Sequence, residues 1–252
     1  MHNPMALDGH VLLVTGASSG LGRAISILIS KLGGRVVLVA RSQERLAETL
    51  SLMDAGDHRV EPFDLERLDD IPRWMKNLTS EVGPLNGLVH SAGLHVTMPL
   101  RVLKPSRLEE LMKVNVSAAM ALTKGFRQRG VRAEQGSVVY LSSVSALAGS
   151  AGNAAYSATK GALVSMCRSL AMELAPEQIR VNCLAPGWVP TELSARAGEK
   201  LEGSQLQAIA DMHPLGLGQP DDVANAAAFL LADTGRWITG QTLAIDGGYT
   251  AH

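Results

Sequence analysis

Tyr156 and Lys160 stand four residues apart in Tyr156-Ser157-Ala158-Thr159-Lys160. On a helix that spacing puts both side chains on one face, a turn apart. A phenol beside an ammonium is a chemical device. A free tyrosine titrates near pH 10, so at neutral pH it is a slow proton donor and a negligible base. A cation held within a few ångströms favours the phenolate and lowers that pKa. Bringing it to about 7–8 takes roughly 3–4 kcal/mol of differential interaction, which Lys160 plus a second positive charge can supply. Such a pair also occurs on ordinary helix surfaces, so the surrounding chain decides its meaning.

Short apolar runs recur at His10–Thr15, Arg35–Ala40, Leu85–His90, Ser137–Ser142, Arg180–Ala185 and Thr242–Asp246, with a weaker one at Arg59–Phe63. They do not alternate apolar with polar. That is the pattern of strands buried on both faces of a parallel sheet. Helical stripes lie between them. Leu21, Ile25, Leu28, Ile29 and Leu32 form one, stopped by Gly33-Gly34, and Leu46 and Leu50 follow Ser42 as an N-cap. Ile71, Trp74, Met75 and Leu78 make a third; Leu108, Leu111, Met112 and Val116 follow Pro105. Leu163, Met166, Leu170 and Leu174 carry the Tyr156 helix on to Pro176, and Val223, Ala227 and Leu230 mark the last. The alternation predicts an α/β fold: one Rossmann-like domain over residues 1–252, a doubly wound parallel sheet of about seven strands with helices on both faces. The polar, poorly patterned segment 188–218 is expected to be a substrate loop or lid.

The bulk numbers exclude several functions. A net charge of −1 with 19% charged residues gives no electrostatic case for nucleic acid or an anionic membrane. No apolar run approaches a transmembrane span, and the first residues lack the pattern of a signal peptide. The only cysteines, Cys167 and Cys183, lie in apolar segments and read as buried thiols. No metal-ligand spacing occurs. A cytoplasmic, soluble protein is the expectation.

The first strand runs into Thr15-Gly-Ala-Ser-Ser-Gly-Leu-Gly22 and then a helix. In that context Gly16, Ser18, Ser19, Gly20, Leu21 and Gly22 read as a cradle for a dinucleotide pyrophosphate, with the helix N-terminus supplying free N–H groups. At the end of the second strand an acidic residue would serve the 2′-hydroxyl of NAD. Ala40 cannot, whereas Arg41 suits a 2′-phosphate, so NADP(H) is expected over NAD(H).

In these features the chain resembles the short-chain dehydrogenase/reductase family over nearly its whole length. The matching pieces, in order, are Thr15–Gly22, Asp64-Leu65, Ala92-Gly93, Asn115, Ser143, Tyr156 with Lys160, Pro186-Gly187 and Asp246-Gly247-Gly248; Ser143 lies thirteen residues before Tyr156. The resemblance implies hydride transfer between a nicotinamide and a small-molecule carbonyl or alcohol, with Asn115, Ser143, Tyr156 and Lys160 as the catalytic set. Asp64 and Leu65 would contact the adenine. Ser91, Ala92 and Gly93 would line the middle of the nucleotide. Tyr156 and Lys160 would meet the nicotinamide ribose. Pro186, Gly187, Val189 and Thr191 would pack on the nicotinamide. Asn115 would hold a water that relays protons to Lys160. A homotetramer, or a homodimer, is implied too.

Two departures stand out. His90-Ser91 replaces the usual Asn-Asn, with His90 expected to be structural, and Asn86 stands where Asp is common. In overall look the chain is similar to 3-oxoacyl-carrier-protein reductases. Those grip an acidic carrier with Arg residues at places aligned with Glu134 and Glu177, and two acids there are expected to repel such a partner. A dinucleotide-binding sensor without turnover is the alternative of another class. The complete set of four residues argues against it.

Overall fold

The computed structural model describes residues 3–192 and 203–251. Seven strands form one parallel sheet: β1 (Val11–Thr15), β2 (Arg35–Ala40), β3 (Arg59–Pro62), β4 (Leu85–His90), β5 (Arg132–Leu141), β6 (Ile179–Pro186) and β7 (Thr242–Ile245). Their spatial order is 3-2-1-4-5-6-7, and every pairing is parallel. The helices are α1 (Gly20–Lys31), α2 (Gln43–Ser51), α3 (Ile71–Val82), α4 (Pro105–Met112), α5 (Ala118–Phe126), α6 (Ala154–Leu174), α7 (Gly203–Asp211) and α8 (Pro220–Leu231). This is the doubly wound sheet that the uniform apolar runs predicted.

The two faces of the sheet bury separate cores. Leu13, Val37, Val138 and Val181 point to the side covered by α3, α5 and α6, where Met75, Phe126 and Leu163 meet them. Leu12, Val14, Leu38 and Leu184 point the other way, against Ile25 and Ile29 of α1 and Val223 and Leu230 of α8. Successive strand residues face opposite sides, so two-sided burial demands apolar residues at both parities. Cys167 and Cys183 are free, buried thiols in the first of these cores.

Local signals act as read. Ser42 caps α2 by accepting the Arg45 N–H at 3.3 Å, and Gly33, at φ +84°, ends α1. One helix departs from its pattern. Between α4 and α5 the chain makes a π-helical turn over Lys113–Ser117, with buried Asn115 at its centre. The apolar spacing through Val116 had read as one uninterrupted α-helix.

Neighbouring β1 and β4 send their chains to opposite sides of the sheet. Their C-terminal ends, where Thr15 pairs with His90, form the switch point at which such sheets bind ligands.

Candidate active site

The turn after β1 is shaped by close backbone approach. Gly16 has φ +68°, and a Cβ there would lie 2.8 Å from the Ala92 nitrogen and 2.9 Å from its Cα. A Cβ on Gly22 would lie 2.4 Å from the Gly16 carbonyl oxygen. These glycines bring the turn against the end of β4 and seat α1 beneath it. The Ala92 N–H donates to Thr15 Oγ1 at 3.2 Å, and Arg23 holds the Ser18 carbonyl at 2.7 Å. Gly20 looks across the cradle at Thr191, whose Cβ a side-chain carbon on Gly20 would meet at 3.4 Å. The open floor and the N-terminus of α1 are the arrangement a pyrophosphate requires.

Arg41 is exposed at the end of β2 and makes no ion pair among the described residues. Its neighbour Arg45 is paired with Glu192. Asp64 caps its own turn, its carboxylate accepting the Glu66 N–H at 3.0 Å, and the Leu65 side chain is packed in the core. Ser91 and Gly93 follow β4; Gly93 leaves a gap that a Cβ would fill to 3.3 Å from Asn115 Oδ1 and 3.6 Å from Lys160 Nζ.

The four predicted catalytic residues converge on this edge. Ser143 follows β5, and its hydroxyl accepts the Ser145 N–H at 3.1 Å. Tyr156 and Lys160 lie in the first turns of α6, held by a two-way clamp. Ser142 Oγ donates to the Lys160 carbonyl at 2.9 Å, and Lys160 Nζ donates to the Leu141 carbonyl at 2.6 Å. Asn115 Nδ2 donates to the Leu94 carbonyl at 2.9 Å and to Thr159 Oγ1 at 3.0 Å, while Oδ1 accepts the Leu94 N–H at 2.7 Å. The π-turn thus aims an amide that ties the loop after β4 to α6. Ser142 and Thr159 escaped the sequence reading. A small hydroxyl residue beside a motif carries no signal until the fold shows its partner.

The electrostatics differ from the expectation for Tyr156. Burial pushes its phenol up to about 12, and the Ser143 hydroxyl offsets this only in part. Lys160 does not supply the expected lowering. Its Nζ is turned to the Leu141 carbonyl and sits 5.5 Å from the Tyr156 ring centroid. Burial lowers the Lys160 ammonium itself to about 8. His90 is structural, as expected. It is buried, its Nδ1 lies 3.1 Å from Thr15 Oγ1, and the main chain of Val114 and Asn115 lies against the ring. Burial first, then the Lys160 charge, lower its pKa to about 3. Asn86 braces the same pair of strands, its Oδ1 accepting the Val11 N–H at 2.9 Å.

Ser143 and Tyr156 open onto a cavity of about 220 Å³, whose wall includes His95, Asn153, Trp188 and Met212. Pro186, Gly187, Val189 and Thr191 line the side formed by the end of β6 and the residues after it. His213, unforeseen from sequence, couples α7 to that side. Its Nε2 accepts the Trp188 N–H at 3.1 Å, so Nδ1 carries the proton and donates to the Ile209 carbonyl at 2.7 Å. Gly187 permits this, since a Cβ there would lie 2.8 Å from His213 Nε2. Within the segment 188–218 expected to be a loop or lid, residues 193–202 lie outside the described residues, as does the side chain of Leu206.

Glu177 is not the bare acid that the aligned sequence suggested. It binds Arg127 at 2.5 Å and Arg132 at 3.7 Å. Lys124 and Arg129 share the same surface depression, so that ground is basic.

A family model described as enoyl-(acyl carrier protein) reductase matches residues 16–250. The structure superposes on a short-chain type dehydrogenase/reductase from Mycobacterium ulcerans with a TM-score of 0.91, at 31% identity over 98% of this chain and 92% of that one. The chain belongs to the short-chain dehydrogenase/reductase family. It is therefore similar throughout to nicotinamide-dinucleotide oxidoreductases. A 3-oxoacyl-[acyl-carrier-protein] reductase from Rickettsia conorii is 33% identical over 96% of this chain and 97% of its own length. A putative 2-deoxy-D-gluconate 3-dehydrogenase from Agrobacterium tumefaciens, solved with bound NADP, matches at a TM-score of 0.88 and 29% identity over the whole of both chains. Among the described residues no helix is long and apolar enough to cross a membrane, and no cluster of His, Cys, Asp or Glu is placed to hold a metal ion.

Proposed function

We propose that this protein is an NADP(H)-dependent oxidoreductase that interconverts a ketone and a secondary alcohol, with Tyr156 as its acid and base. The observation that carries the reading is the opening of Ser143 and Tyr156 onto one cavity, with Lys160 buried behind Tyr156 on the same helix and the glycine turn beside them. The cradle fits a dinucleotide, since Gly16 lets the turn close against the end of β4 and the N-terminus of α1 follows it. Arg41, with no acidic partner among the described residues, suits a 2′-phosphate. Asp64 with Leu65 would border the adenine, and Ser91, Ala92 and Gly93 the ribose and phosphates between. Pro186, Gly187, Val189 and Thr191 would flank the nicotinamide, and Trp188 and Met212 would border the substrate. The bound cofactor supplies the hydride.

The chain's own residues supply the proton and hold the substrate. Ser143 Oγ and Tyr156 Oη donate to the carbonyl oxygen, polarising the carbon that receives the hydride. A phenol pushed up by burial stays protonated at neutral pH and is charged for the reductive direction. As negative charge grows on the substrate oxygen, the phenol proton crosses to it. The cationic Lys160 then steadies the phenolate, with a swing of its Nζ from the Leu141 carbonyl bringing the charge closer. Asn115, in the π-turn close to Lys160 across Gly93, would hold the relay water. A homotetramer or homodimer is the assembly we infer from the resemblance to the family.

A second reading, reduction of a 3-oxoacyl thioester on an acidic carrier, has one observation in its favour. Lys124, Arg127, Arg129 and Arg132 outnumber Glu177 on the surface where repulsion had been expected. NADPH oxidation against ketones, hydroxy ketones and 3-oxoacyl thioesters, free and carrier-bound, tests both readings. Turnover of free ketones supports the first, and a strong preference for carrier-bound thioester the second. Saturable NADPH binding with no turnover across the panel would sink both in favour of a sensor.

A further inference from the structure

Two neutral polar side chains on the cavity wall have no part in the carbonyl chemistry. The His95 ring stands edge-to-face with Tyr156, with centroids 4.4 Å apart and planes at 81°. Behind it, Asn153 Oδ1 accepts the Thr97 hydroxyl at 3.1 Å and faces the imidazole, favouring an N–H on that side. The Met98 N–H donates to the Gly152 carbonyl at 2.7 Å, so the loop after β4 is sewn to the loop before α6. His95 is therefore held in place from behind and is not a surface side chain that happens to lie near the cleft.

Burial, with a smaller contribution from the Lys160 charge, lowers the His95 pKa, so the ring is neutral at neutral pH. A neutral imidazole offers one donor and one acceptor. With its N–H turned to Asn153, the remaining nitrogen is a bare acceptor. The Asn153 Nδ2 donates to nothing among the described residues. His95, Asn153 and Tyr156 line one cavity, so its wall offers a ligand one acceptor and one donor. A carbonyl oxygen can meet only the donor, whereas a hydroxyl can also donate to the acceptor. No Lys, Arg, Asp or Glu side chain lines the cavity among the described residues. Ring contact between His95 and Tyr156 suits oxygens on neighbouring carbons.

We infer that His95 and Asn153 bind a hydroxyl on the carbon next to the reacting carbonyl, so that the substrate is an α-hydroxy ketone and the product a vicinal diol. This rests on the oxidoreductase reading above. In reduction, hydride adds to the carbonyl carbon and the Tyr156 proton to its oxygen; the neighbouring hydroxyl is bound and unchanged. A substrate lacking it leaves a half-buried donor and acceptor unpaired, which costs about 10- to 100-fold in specificity.

The test compares kcat/KM for 3-hydroxy-2-butanone and 2-butanone, which differ by that one hydroxyl, in NADPH oxidation. The wild type is expected to favour the hydroxy ketone by about 10- to 100-fold. His95→Phe keeps the ring against Tyr156 and removes both nitrogens, so the ratio should fall towards one. His95→Asn restores polar groups and should recover part of it. NADPH binding, followed by fluorescence, confirms that each variant is folded. If His95→Phe binds no NADPH, the wild-type ratio and the His95→Asn ratio decide. A wild-type ratio near one, or a ratio unchanged in a folded His95 variant, overturns this inference and leaves the oxidoreductase reading standing. No turnover of any ketone overturns that reading, and this inference with it.

Discussion

Replacing Gly16 with alanine should damage the protein in a way that separates two causes of glycine at a turn. The first cause is conformational. At φ +68° an alanine sits in the left-handed region at a cost of about 1–2 kcal/mol. The second is space. The new Cβ would lie 2.8, 2.9 and 3.0 Å from main-chain atoms of Ala92 and Ser91, which no rotamer change can relieve. The turn must then part from the end of β4, at a further cost of about 1–3 kcal/mol. For a chain of this length each kcal/mol lowers Tm by about 2–4 °C, so a fall of roughly 10 °C is expected. Gly130 is the control: it has φ +81° but nothing within 4 Å of a Cβ, so alanine there meets the conformational cost alone. Thermal melts and NADPH titrations of both variants make the assay. Gly16→Ala should weaken NADPH binding at least about tenfold while Gly130→Ala leaves it unchanged. Equal losses of Tm with NADPH affinity intact in both would refute the claim that close backbone approach builds the cradle.

Arg41→Ala should raise the KM for NADPH by about 10- to 100-fold and leave that for NADH nearly unchanged, because only the former carries a phosphate for the guanidinium to hold. A wild type that uses NADH as well as NADPH would remove that role from Arg41. His90 gives a stability prediction with a definite sign. Its folded pKa is about 3 against 6.5 for the free side chain, so below about pH 6.5 the unfolded chain takes up a proton that the folded chain refuses. The stabilising contribution is complete above that pH and is lost as pH falls. Between pH 7 and pH 5 it amounts to about 2 kcal/mol. Urea unfolding of His90→Asn should show an acid-side loss smaller by about that amount; matching slopes for the two proteins would contradict the buried, neutral imidazole.

Much of this architecture was legible in the sequence because strands buried on both faces must be apolar at every position. That is why Val36–Val39 and Leu12–Val14 announced themselves. The first half of β5 did not. Arg132–Gln135 is polar and partly exposed, so the strand read as beginning at Ser137. The π-turn at Asn115 was invisible because the stripe through Leu111, Met112 and Val116 is compatible with an α-helix. The candidate residues were found by their spacing, but their electrostatics were not. Whether Lys160 faces the Tyr156 hydroxyl or the Leu141 carbonyl depends on where β5 ends relative to α6, and no local pattern records that. Glu177 carries the same lesson. Its acidity is local, while the arginines that neutralise it, Arg127 and Arg132, arrive from 50 and 45 residues earlier in the chain.

Tyr156→Phe removes one oxygen and leaves the ring against His95, the α6 clamp and the glycine cradle in place. Single-turnover oxidation of NADPH with a ketone the wild type reduces, measured beside NADPH affinity, is the most direct test of the account. The expected result is a dissociation constant within about threefold of wild type and a rate lower by at least about 100-fold, the contribution of a positioned proton donor. A variant that binds NADPH normally and still turns over at a substantial fraction of the wild-type rate would contradict the assignment of the proton to Tyr156.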